Sequence, residues 1–73
     1  MSNPIYFTIR KNAAFRSIDL FVSHDRAEVD CDKPECLSKR KFFDDALSYR
    51  KAIQASQSWR RELLREHKAV EIS

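Results

Sequence analysis

The sequence predicts an α+β fold: a small antiparallel sheet of three strands packed by one long or broken C-terminal helix. Three observations predict it. Three stretches, 5–10, 18–23 and 27–32, alternate apolar and polar groups with the period of a strand. Residues from 38 to about 68 contain neither Pro nor Gly and are rich in Ala, Leu, Lys, Arg, Glu and Gln, all good helix formers. Pro34 stands between the two regions. A chain of 73 residues is read as one domain, with a β-rich half over 1–37 and a helical half over 38–69.

The strands come first. Ile5, Phe7 and Ile9 alternate with Tyr6, Thr8 and Arg10, so one face of this strand is apolar. Ile18, Leu20 and Val22 repeat the pattern against Asp19, Phe21 and Ser23. Ala27, Val29 and Cys31 repeat it against Glu28, Asp30 and Asp32 and predict the third strand. A looser connection is expected over 12–15 and a tight hairpin at Ser23-His24-Asp25. Glycine is absent, so any positive φ is expected at Asn12, His24 or Asp25.

For the helix, Ser38 is the expected N-cap. Phe42, Ala46, Tyr49 and Ile53 fall on one face, with Phe43 and Leu47 on its flank. Length sets a problem. About 30 helical residues reach roughly 45 Å, whereas a seven-residue strand spans about 23 Å. Trp59 and Leu63 also sit about 100° or more round the helix from Ala46. The polar stretch 54–58 is a place for a break near Ser56. Either two helices fold back on each other or an overhang packs on another chain. Val70-Glu71-Ile72 alternates and predicts a short fourth strand.

Composition excludes several functions. Without glycine, the usual dinucleotide folds, phosphate loops and nucleophile elbows cannot be built. So small a core leaves little room for an enclosed substrate pocket. No Ser, His and Asp grouping puts a nucleophile beside a base, so no enzyme and no cofactor are expected. Arg10 and Lys11 interrupt the first apolar stretch, which removes the pattern of a signal peptide. No apolar run approaches the roughly 20 residues that span a bilayer. The expected compartment is the cytoplasm, with Cys31 and Cys36 reduced.

Charge is uneven. Residues 1–38 carry five basic and six acidic groups, net −1, and residues 39–73 carry nine and five, net +4. On a helical wheel Arg50, Lys51, Gln54, Arg61, Arg65 and Lys68 gather on one side, extended by Lys39-Arg40-Lys41. Such a row can track phosphates or an acidic protein surface, and its ordinary alternative is a solvated face. Cys31, Cys36, His24 and His67 offer zinc ligands, but not at the spacing of a common finger. His24 on a hairpin tip would lie about 23 Å from Cys31, leaving Cys31, Cys36 and His67. Buried or incidental thiols are the ordinary reading, and no metal is assigned. Glu28, Asp30 and Asp32 on one strand face read as a solvated acidic edge, with Mg²⁺ as the sharper alternative.

Tyr6 and Phe21 fall on the sheet face opposite the expected core. They either meet a partner, together with Trp59 and Leu63, or lie under the second half of the helix. The leading expectation is a protein-binding regulatory module, an inhibitor or adaptor of a larger protein. The second is a nucleic-acid-binding accessory protein using the basic helix face. A homodimer of paired overhangs is compatible with both. Size, charge and the missing catalytic signature are similar to those of short accessory proteins of phages and mobile elements, a likeness of composition that rests on no specific residue.

Overall fold

A computed structural model describes residues 3–72. In chain order it contains β1 (Tyr6–Asn12), β2 (Ser17–Ser23), the short helix α1 (Arg26–Asp30), a 3₁₀ turn (Pro34–Cys36), β3 (Leu37–Phe42), the long helix α2 (Ala46–Glu66) and β4 (Val70–Glu71). The fold class is the expected one, including the short C-terminal strand. The sheet runs β3-β2-β1-β4. β1, β2 and β3 pair antiparallel, while β4 pairs parallel to β1, Tyr6 opposite Val70.

The third strand is not where alternation placed it. Residues expected as strand around Val29 form α1, and Ser23-His24-Asp25 is the entry to that helix rather than a hairpin. Asp25 caps it by accepting the Ala27 N–H at 3.0 Å. Only Val29 is buried there, while Ala27 and Cys31 are exposed. Five residues are too few to separate a period of 2 from one of 3.6. The actual third strand, Leu37–Phe42, lies in the expected helical half. Its sequence LSKRKF alternates weakly because it is an edge strand, and lysines on an edge discourage further pairing.

The helix therefore starts later. Asp45, not Ser38, is the N-cap: it accepts the Ser48 N–H at 2.7 Å, and the Ser48 hydroxyl receives the Asp45 N–H at 3.0 Å. Phe42 sits on β3 and Ala46 is exposed, so the expected inward face is shifted: Tyr49 stays in it and Ile53 is half-buried on its flank. Tyr49, Ala52, Ser56, Trp59 and Leu63 recur at helical spacing, all buried or half-buried. This stripe is about 21 Å long at the helical rise, which matches the roughly 23 Å of a seven-residue strand. The helix as a whole, 21 residues and about 32 Å, is shorter than the expected length of roughly 45 Å but longer than the strands it crosses. The helix also runs unbroken through Ser56, whose hydroxyl donates to the Ile53 carbonyl at 2.7 Å.

Both sheet faces are covered. Toward α2, Phe7, Leu20 and Ala69 pack with Ile5, Ile9, Val22, Trp59 and Leu63. Toward α1, Phe21, Val29, Cys36 and Ile72 pack with Tyr6 and Leu37. Phe7 and Val29 are fully buried, and each such side chain stabilises the fold by about 1.5–3 kcal/mol. Positive φ falls at Arg16, Asp32 and Lys68 instead of Asn12, His24 and Asp25. Lys68 follows the end of α2, where chains without this constraint usually place glycine.

Candidate functional site

The outer face of α2 lies opposite the packed stripe. Arg50, Lys51, Gln54, Arg61 and Arg65 are exposed there, and Lys68 is exposed just past the helix end. Among the described residues none of these five cations has an ion pair within 4.0 Å. Arg50 and Arg65 are separated by about 22 Å along the axis. Arg60 differs: its Nε donates to Glu71 at 2.6 Å and ties α2 to β4. The acids of the helix's second half, Glu62 and Glu66, flank the row without closing on it. The face therefore offers unneutralised charge on a rigid rod.

Tyr6, Phe21, Trp59 and Leu63, expected at a partner surface, are packed. Tyr6 and Phe21 belong to the core under α1, and Trp59 and Leu63 to the core under α2. The Lys39 ammonium lies 5.9 Å from the centre of the Trp59 ring, adding a cover from β3. The exposed aromatics are Phe15 (60%) and Phe42 (61%). They flank Arg40, whose guanidinium carbon is 4.9 Å from the Phe15 ring centre and 5.9 Å from that of Phe42. Sequence reasoning placed Phe42 on a helix and Phe15 in a connection, so it did not bring them together. Strand pairing does so, because Phe42 lies opposite Ser17 at the end of the β1–β2 turn.

Arg40 is held by Asp19. Its Nε and Nη2 donate to the two carboxylate oxygens at 2.9 and 3.0 Å, and Ser17 and Asn12 donate at 2.7 and 3.3 Å. Asp19 is only 1% exposed. Burial pushes its carboxyl up, but the bonds from Arg40, Ser17 and Asn12 outweigh this and hold it below its ordinary value. Asp45 is held low by the Ser48 N–H and hydroxyl. The helix α1 has five residues, about 7.5 Å of length, and covers only the Phe21 end of its face. A cleft of about 600 Å³ stays open beside it, lined by Arg10, Asn12, Phe15, Phe21, Pro34 and Arg40 among others.

The metal alternatives do not assemble as expected. Cys36 is buried under α1, Cys31 is exposed, and both are free thiols. His67 caps the far end of α2, where its ring and the carboxylates of Glu62 and Glu66 offer ligand atoms within 4.8 Å of one another. Glu28, Asp30 and Asp32 share no strand face. Asp32 accepts from Arg10 at 2.8 Å, Asp30 lies 4.0 Å from the same guanidinium, and Glu28 lies 3.9 Å from Lys33. No helix among the described residues is long and apolar enough to cross a membrane. Comparison with protein-family models, curated proteins and solved structures returns no match to the chain.

Proposed function

We propose that this chain is a non-catalytic nucleic-acid-binding module whose phosphate-tracking surface is the outer face of α2. The observation that carries the reading is the row Arg50, Lys51, Arg61 and Arg65, exposed and, among the described residues, without ion pairs along one continuous helix. A cation already neutralised inside the protein gains little from a phosphate. A free one releases the counterions condensed on the polyanion and gains affinity. Docking on a larger protein is the competing reading. It rests on an overhanging helix and on exposed Tyr6 and Phe21, and both of these rings lie in the core under α1.

The experiment is a titration of a labelled single-stranded oligonucleotide, followed by anisotropy at several salt concentrations. The reading expects affinity to fall steeply with salt. It also expects Arg61→Ala/Arg65→Ala to flatten the log–log slope by about 0.7 for each phosphate contact removed. Absence of binding at low salt, where attraction is strongest, would return the face to solvation or protein docking.

A further inference from the structure

The cleft beside α1 lies on the sheet face that α2 does not cover, and its chemistry differs from that of the helix. Its two arginines are already matched by carboxylates: Arg40 by Asp19, and Arg10 by Asp32. Lys11, the third cation of the lining, carries its ammonium over the Phe43 and Tyr49 rings at 5.9 and 5.1 Å, so the floor between the two arginines is close to neutral, which disfavours a bare phosphate. The guanidinium groups nevertheless keep spare donors. Each has five N–H groups; Arg40 shows Asp19 only Nε and Nη2, and Arg10 shows Asp32 only Nη1. Phe21, Pro34 and Leu37 supply apolar walls. Phe15 is 60% exposed at the rim, and one side of its ring is stacked against Arg40. Its backbone N–H donates to the Asn12 side chain at 3.1 Å, which holds the turn.

A ligand for this site is planar, uncharged where it meets the floor, and rich in hydrogen-bond acceptors. We infer that the cleft takes a nucleobase, stacked at Phe15 with its acceptor edge toward the spare N–H groups of Arg10 and Arg40. Unstacked bases are held in this way, by aromatic rings and arginine planes. The volume of about 600 Å³ lies within the usual span for small-molecule sites, about 300–1,000 Å³. The inference deepens the nucleic-acid reading and rests on it only for the source of the base, which is either one unpaired position of a strand or a free nucleoside.

The test follows backbone amide shifts of the full ¹⁵N-labelled chain on adding adenosine, cytidine or uridine, with ribose 5-phosphate as the base-free control. The nucleosides are expected to shift Arg10, Phe15, Leu37 and Arg40, insensitively to salt, while ribose 5-phosphate leaves them still. Phe15→Ala changes an exposed ring on a turn and is expected to weaken nucleoside binding at least tenfold. Arg61→Ala/Arg65→Ala is expected to leave it unchanged, so failure of the helix reading and failure of the cleft reading are separately visible. Nucleosides that move no cleft amide, shifts matched by ribose 5-phosphate, or binding retained in Phe15→Ala would each overturn the inference. A four-nucleotide strand that shifts the same amides at tenfold lower concentration assigns the base to a strand, and equal affinity assigns it to a free nucleoside.

Discussion

At Asp19 a carboxylate is nearly sealed from solvent and survives because four donors from three residues meet it. Removing it strands the Arg40 guanidinium and the Ser17 hydroxyl. Asp19→Ala is expected to cost about 2–3 kcal/mol, since bonds to a charged group are the strong ones. Thermal unfolding checks this, with a fall in midpoint of roughly 8–24 °C for a domain of this size. The pH dependence has a definite sign. The folded Asp19 carboxyl titrates below its unfolded value of about 3.9, so its stabilisation is fully present above that pH and is lost as pH falls toward the lower folded value. Asp45 is lowered too and acts in the same window. The midpoint of the native protein should therefore drop on acidification below about pH 4, and Asp19→Asn should make the drop shallower. Arg16 holds a φ of 52° with a side chain that disfavours it. Arg16→Gly is expected to raise stability by about 0.5–1 kcal/mol, and Arg16→Val to lower it, both read by the same melt.

Among the elements, α2 decides most. Ala52 is fully buried where the helix meets the sheet, so no volume is spare there. Ala52→Leu is expected to cost about 1–3 kcal/mol by overpacking, checked by urea unfolding with an unchanged m-value. The first two strands were legible because their alternating positions carry large apolar side chains, Ile5, Phe7 and Ile9 and then Ile18, Leu20 and Val22, and the long helix because its residues include neither Pro nor Gly. The third strand was not. LSKRKF carries its apolar groups only at its ends, and a cationic edge resembles the start of a basic helix. Val29 at the centre of α1 looked like a strand residue because Ala27 and Cys31, which are exposed, complete an alternation around the one buried group. The helix start moved from Ser38 to Asp45 for the same reason: both residues can cap, and only strand pairing of the intervening residues chooses between them.

On the scale of the whole molecule, the two-sided sheet explains why the site was only half legible. The basic row on α2 depends on helical geometry alone, so Arg50, Lys51, Gln54, Arg61 and Arg65 could be grouped from spacing. The Phe15–Arg40–Phe42 stack joins a turn to an edge strand and depends on register, which spacing along the chain does not reveal. Tyr6 and Phe21 became core because the 26–36 segment folds over them, a consequence of the same misplaced third strand. The central claim is that the outer face of α2 binds a polyanion. The most direct measurement is the slope of log affinity against log salt for a single-stranded oligonucleotide, for the native chain and Arg61→Ala/Arg65→Ala. The account predicts a steep slope in the native chain and one shallower by about 1.4 in the double variant if both cations meet phosphate. Identical slopes in the two proteins, or no binding at low salt, would contradict it.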